Sequence, residues 1–352
     1  MNRVLIDCLK IRRQNTGLFE FCVQLGKALI RNSDPGRETL NFYVPKRQPN
    51  PFGSDQKYCL QHPFHKIWMP KANQFDLWHS TYQNSRYLPP PGTARMVLTI
   101  HDLNFLVEDK LAPKKINRYL GQIQSSIDRA DHIVCISEFT RLTVSQHLRL
   151  GERPVEVIYN GCSVNEFPAF DQPRYRPRSP FIFTVGTVLP KKNFHVLPCL
   201  LKGNDYQLLI AGIVDSAYEK SILEAARLHQ VGNRVRLLGP ISEAEKSWYY
   251  RESLAFAFPS LAEGFGLPVV EAMHYGKPIF LSTHASLPEI AGAYAYYFEN
   301  FDASYMQEVF RAGMLDYIAR DRAQGIRRHA LRYSWDAAAK SYLRLYRQYG
   351  PR

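Results

Sequence analysis

Chemistry-bearing residues concentrate in residues 260–278, SLAEGFGLPVVEAMHYGKP. Two carboxylates, Glu263 and Glu271, stand eight positions apart, with Gly264, Phe265, Gly266 and Leu267 between them. The apolar run 255–258 reads as a strand that ends just before this stretch, and Pro268 fits the first turn of a helix. A strand, a glycine turn and a helix start aim unpaired backbone N–H groups at a ligand, which favours an anion or a hydroxyl-rich molecule. A carboxylate accepts several hydroxyl donors at once, as paired sugar or ribose hydroxyls require. Taken alone, two glutamates at this spacing also describe a surface helix with solvated carboxylates. Elsewhere, Lys192 lies in a loop after an apolar run at 181–186 and before a helical stretch; by itself it reads as a surface lysine. His101 closes a strand at 96–101, where it either points into a cleft or packs in the core against a backbone acceptor. Gly17 opens the first long helix after Thr16, so a backbone can pass close to a ligand there. Ser137 reads equally as a cleft-facing hydroxyl and as a helix N-cap.

These residues need a scaffold, and the sequence pattern supplies one. Short β-branched runs at 4–9, 39–44, 76–79, 96–101 and 132–136 alternate with helical patterns at 17–31, 113–129 and 138–148. The second half repeats the scheme, with strands at 181–186, 207–211, 235–238, 255–258 and 278–281. Its helices fall at 194–201, 217–230, 243–251 and 267–275. Such alternation predicts parallel sheets covered by helices on both faces. Residues 166–180, with four prolines and three arginines and no periodicity, read as an interdomain linker. Two α/β domains so joined leave a cleft between the C-terminal edges of their sheets, where ligands bind in open α/β folds. Ser334 caps a final helix.

With 352 residues, 45% of them hydrophobic and 22% charged, the chain fits two folded domains and not a disordered one. No apolar run approaches the roughly 20 residues of a membrane span. The start, MNRVLID, reads as a strand and not as a secretory signal, so a cytoplasmic location is expected. Cys8, Cys22, Cys59, Cys135, Cys162 and Cys199 form no C-x-x-C pair or zinc spacing and are expected reduced. The net charge of +13 attracts polyanions: nucleic acid, an anionic membrane or a phosphate-bearing substrate. Nucleic-acid recognition patterns are missing from the sequence, so no nucleic acid is expected as partner. No D-x-D pair closes a strand, and a metal is not required.

The stretch EGFGLPVVEAMHYGKP resembles the E-x7-E signature of retaining glycosyltransferases of family 4. So do IHDLNF at 100–105, RADHIVCISEFTR at 129–141, VIYNG at 157–161, FTVGTVLPKKN at 183–193, LLIAG at 208–212 and RVRLLGPI at 234–241. Their order and spacing match over nearly the whole chain. The resemblance implies an α/β fold of the GT-B type, two Rossmann-like domains facing each other across a cleft. Residues 1–170 would form the acceptor-side domain, completed by the helix at 335–352, and 171–334 the nucleotide-sugar donor domain. It implies Glu271 as the ribose carboxylate and Glu263 as the holder of a donor-sugar hydroxyl. Gly264, Phe265, Gly266 and Leu267 would offer amides to sugar and phosphates. Lys192 would stabilise charge growing on the departing β-phosphate. His101 would contact the donor sugar beside its anomeric carbon, Gly17 the diphosphate, Ser137 the cleft, and Pro240 and Ile241 the nucleotide base. Two departures stand out. The family often has Arg where this chain has Thr187, and a Gly-Gly pair where it has Thr16-Gly17. The implied reaction moves a hexose, mannose from GDP-mannose first, to a glycan or lipid-linked acceptor of a surface polysaccharide or lipopolysaccharide, without cofactor. A nucleotide-sugar epimerase, a UDP-sugar-dependent transferase and an inactive nucleotide-sugar-binding module are the alternatives.

Residues 110–129 carry Lys110, Lys114, Lys115, Arg118 and Arg129 around Ile116, Leu120, Ile123 and Ile127. This is an amphipathic helix that either faces the core or touches anionic lipid headgroups as a peripheral membrane contact.

Overall fold

The computed structural model describes residues 1–12, 16–107 and 111–350. They form two compact units, Met1–Gly161 with Tyr333–Arg352, and Cys162–Arg332.

The first unit is built on seven strands: β1 (Asn2–Asp7), β2 (Glu38–Val44), β3 (Lys57–Leu60), β4 (Leu77–Ser80), β5 (Arg95–Ile100), β6 (His132–Cys135) and β7 (Val155–Val157). Their order is β3-β2-β1-β4-β5-β6-β7, with every pairing parallel. The central strands are buried on both faces, which is why they read as unbroken apolar runs and not as alternating ones. Helices α1 (Gly17–Asn32), α2 (Pro113–Ile127) and α3 (Glu138–His147) belong to this unit. α1 starts where the Thr16 hydroxyl accepts the Phe19 N–H at 3.2 Å, and it buries Phe21, Cys22, Leu25, Ala28 and Leu29 along one stripe. In α2, Ile123 and Ile127 belong to the core and Leu120 packs against it. Of the two readings of this helix, most of the apolar stripe thus follows the core-facing one, and Lys114, Lys115 and Arg118 lie on its solvated side. Lys110 lies outside the described residues.

The second unit carries β8 (Phe181–Val185), β9 (Gln207–Ala211), β10 (Val235–Gly239), β11 (Ala255–Phe258), β12 (Ile279–Ser282) and β13 (Tyr296–Phe298), in the parallel order β10-β9-β8-β11-β12-β13. Its helices are α4 (Ser216–Leu228), α5 (Glu243–Glu252), α6 (Leu267–His274), α7 (Leu287–Ala291), α8 (Ala303–Ala319) and α9 (Ala323–Ala330). The helix expected at 194–201 is a 3-10 helix, Phe194–Leu201. Pro198 inside it has no N–H to give an α-helical ladder.

The last helix, α10 (Trp335–Gln348), belongs to the first unit. Asn2 donates to the Tyr346 carbonyl at 2.8 Å, and Arg347 pairs with the buried Glu38 at 2.7 Å. A buried polar chain runs from Tyr346 through His79 and Thr99 to Tyr342, with contacts of 2.7, 2.8 and 3.0 Å.

The expected boundary near 170 is corrected to 161/162, and the return crossing lies at 332/333. The proline- and arginine-rich stretch is part of the second unit. Arg174 pairs with Glu245 at 2.8 Å, Tyr249 donates to the Tyr175 carbonyl at 2.8 Å, and Trp248 donates to Asp171 at 3.1 Å. Its lack of periodicity reflects side-chain pinning to α5, not freedom.

Candidate active site

In each sheet the strand order reverses once, between β1 and β4 and between β8 and β11. Ligands of open parallel sheets bind outside the carboxyl ends of the strands at such a reversal. Lys192 follows β8 and Glu263 follows β11, so the second reversal brings them together from 71 positions apart. The Lys192 ammonium donates to Glu263 Oε1, and the two side chains are only 14% and 12% exposed. The ammonium also lies 5.0 Å from the Phe258 ring centre.

Backbone contacts stitch the two loops. The Lys191 carbonyl accepts the Leu261 N–H at 2.8 Å and the Ser260 hydroxyl at 3.3 Å. The Ser286 hydroxyl donates to the carbonyls of Phe265 at 3.0 Å and Glu263 at 3.2 Å. Gly264, Phe265 and Gly266 are buried in this turn, and Leu267 opens α6. Gly266 has φ +101, and a Cβ there would sit 3.0 Å from Leu287. Gly212, at the end of β9, has φ +133, and a Cβ would fall 1.9 Å from the Gly186 carbonyl oxygen, so only glycine lets these strand ends close up. Thr187 is exposed directly after Gly186, and Pro240 and Ile241 follow the end of β10.

Glu271 stands in a separate cluster. Its Oε1 accepts from the Lys246 ammonium at 2.9 Å and its Oε2 from the Tyr250 hydroxyl at 2.8 Å. Lys246 also pairs with Glu243 at 3.1 Å. Burial opposes the Lys246 charge, but the Glu271 and Glu243 carboxylates outweigh it and hold the ammonium above its ordinary pKa. Burial, then the neighbouring Glu271, pushes the Tyr250 phenol well up, so it stays a donor. With Ser163, Ser247 and Tyr275 these groups line a shallow open hollow. The sequence reading missed Lys246 and Tyr250. Their signal was available: a capping box, Ser242 with Glu245, starts α5, and Lys246 and Tyr250 follow at i and i+4 on one face.

The remaining expected residues belong to the first unit. His101 follows β5 and is 6% exposed, its ring edge-on to Phe21 at 4.6 Å. Its Nε2–H donates to the Thr81 carbonyl at 2.8 Å, which leaves Nδ1 as the ring's acceptor. Burial pushes its pKa down to about 4, against the pull of that carbonyl. Asp7, which the sequence reading passed over, ends β1 at the reversal. Burial pushes its carboxyl up to about 6, although Ser85 donates to it at 2.7 Å and the Leu9 N–H at 2.9 Å. Ser137 is fully buried; its oxygen accepts the Thr140 N–H at 3.1 Å and caps α3. Gly17 begins α1 with open space where a side chain would project. Among the described residues no three His, Cys, Asp or Glu side chains gather as a metal-holding group, and no helix is long and apolar enough to cross a membrane.

Residues 26–166 match the family described as Glycosyltransferase Family 4, and residues 167–325 the family described as Glycosyl transferases group 1. The chain is 28% identical over 267 residues to the O-antigen chain mannosyltransferase B of Escherichia coli, covering 67% of this chain and 65% of that relative. It is 26% identical over 196 residues to the O-antigen chain mannosyltransferase RfbU of Salmonella typhimurium, covering 54% and 53%. The chain thus spans between half and two thirds of the length of these relatives. Among solved structures, sucrose-phosphate synthase from Thermosynechococcus elongatus superposes with a TM-score of 0.75 at 18% identity, covering 99% of both chains. The Anabaena protein HepE, solved with UDP and glucose, gives 0.75 at 15% identity, covering 98% and 99%. At these identities the likeness establishes the GT-B fold.

Proposed function

Because the chain belongs to glycosyltransferase family 4, we propose that it is a retaining hexosyltransferase that draws its sugar from a nucleotide-sugar donor. The observation that carries this reading is the Lys192–Glu263 pair, held at the β8/β11 reversal beside the glycine turn that opens α6. Without donor, the two groups neutralise each other in a largely buried place. A diphosphate offers Lys192 a second anion, and the freed Glu263 carboxylate accepts a sugar hydroxyl. The bond from the anomeric carbon to the β-phosphate oxygen breaks, and a bond to the acceptor oxygen forms on the same face. The acceptor's proton passes to the departing phosphate oxygen. Negative charge grows on that phosphate, so a fixed ammonium acts more strongly in the transition state than before it. A fixed lysine and a helix N-terminus supply the charge a divalent ion would otherwise provide, so the reaction needs no metal.

Glu271 takes the ribose in this reading, with Lys246 and Tyr250 holding its carboxylate. Mannose from GDP-mannose is the first donor, supported by the mannosyltransferase relatives, and the acceptor is a growing surface glycan. Three measurements test the reading. Thermal shifts against GDP, UDP, ADP and their sugars should single out one base, since a ligand of the native state raises its apparent stability. Proton NMR of the product should show the donor's anomeric configuration. Turnover should survive a chelator. An inverted product, or turnover lost with chelator and restored by a divalent ion, overturns the corresponding part.

A further inference from the structure

The first unit exposes a cluster of apolar side chains that neither its fold nor its site explains. Phe64, Ile67 and Trp68 are 69%, 87% and 66% exposed. They stand at i, i+3 and i+4 of one helical turn, and so on one face. The turn is firm: the N–H groups of Ile67 and Trp68 both donate to the Phe64 carbonyl, at 3.0 and 2.9 Å. Behind it, Met69, Ala72 and Phe75 are buried in a core cluster with Tyr43 and Trp78, and His65 shares a 3.1 Å hydrogen bond with the Tyr43 hydroxyl. The other exposed large apolar residues among those described are scattered, apart from the pair Leu315 and Ile318.

Along the segment that carries the turn the charge has one sign. Between Asp55 and Asp76 the sequence contains no Asp or Glu, but has Lys57, Lys66 and Lys71. Lys66 lies 5.8 Å from the Tyr87 ring centre. Gln61, bonded to the Tyr87 hydroxyl at 2.5 Å, also accepts from Arg12. Exposed aromatic and aliphatic side chains flanked by lysines and arginine complement a layer with apolar tails below and phosphates above. A glycan would stack on the aromatic rings but has no use for Ile67, the most exposed of the three.

We propose that residues 62–71 form a membrane-interface anchor, in which Phe64, Ile67 and Trp68 enter the headgroup region of an anionic lipid surface while Lys66, Lys71 and Arg12 meet its phosphates. The anchor holds whichever sugar the chain transfers. It presents the enzyme to a lipid-linked acceptor from a surface other than α2.

The test uses the full chain with vesicles of phosphatidylglycerol and phosphatidylcholine in equal parts, against vesicles of phosphatidylcholine alone. Trp78, Trp248 and Trp335 are buried, so a change in tryptophan emission reports Trp68. The expected result is co-sedimentation with the anionic vesicles, weakened by salt, with a blue shift and quenching by bromine-labelled lipid. Ile67→Ser with Trp68→Ser, or Lys66→Glu with Lys71→Glu, should each weaken partitioning about tenfold without moving the thermal midpoint. The wild-type emission measurement needs no variant. Unshifted wild-type emission, or undiminished vesicle binding by both double variants, overturns the proposal. So does a Trp68 response to a soluble oligosaccharide but not to vesicles, or self-association that the Ile67 and Trp68 changes abolish without any vesicle binding.

Discussion

The two sheets end in opposite electrostatics. At the reversal of the second, Lys192 and Glu263 are paired, and Lys246 with Glu271 repeats the pattern on α5 and α6. At the carboxyl ends of the first, burial drives titratable groups toward neutrality: Asp7 up to about 6, His101 down to about 4, His79 down to about 3. The difference fits a division of labour. A diphosphate demands counter-charge, and a charge held beside a carboxylate is ready for it. Burial fixes the protonation of His79 and His101, which stay neutral at physiological pH, but leaves Asp7 titrating near 6.

Each half of the comparison can be broken. The largest effect is expected from Lys192→Ala, with turnover falling by about 10²–10³ while circular dichroism stays native; near-normal turnover would remove the charged half. Next comes Asp7→Asn. The folded pKa of Asp7 lies above its ordinary 3.8, so its contribution to stability is full below that value and lost as pH rises through about 6. Relative to wild type, the variant should gain about 2 kcal/mol between about pH 4 and pH 8, read by denaturant unfolding at both. A constant difference between the two proteins would mean that burial does not raise the Asp7 pKa. Glu271→Gln should weaken binding of the cognate nucleoside diphosphate roughly ten- to hundredfold, measured by calorimetry. Lys246→Met should weaken it less, because the carboxylate stays. The smallest effect sharpens the neutral half: with His101 uncharged above about pH 4, the pH profile of kcat/KM should show no limb near 6.5 that His101→Asn removes.

Much of the fold was legible. The strands at 207–211 and 255–258 were placed to the residue, because strands buried on both faces leave unbroken apolar runs. β3 and β7 escaped because they are edge strands of four and three residues without buried faces. α8 escaped partly because Gly313 interrupts its pattern. A Cβ there would lie 2.7 Å from Phe280 and 2.8 Å from Tyr296, so the glycine serves packing and not a bend. In the site, Glu263 and Lys192 were legible as motif positions, but their pairing was not, since it depends on the loops after β8 and β11 meeting. Ser137 was evenly poised in sequence, and its buried N-cap geometry gives the local role. Asp7 was hidden because an aspartate after an apolar strand looks like a solvated strand end until its burial is seen.

The second unit is one uninterrupted stretch of chain, whereas the first cannot complete itself until α10 has been made. During synthesis the order of maturation is therefore inverted relative to the order of translation. The later unit has its whole sequence in hand while the earlier one still lacks the tyrosines that engage His79 and Thr99. A nascent chain stalled before residue 333 would carry a finished second unit and an unclosed first one, a natural substrate for chaperones.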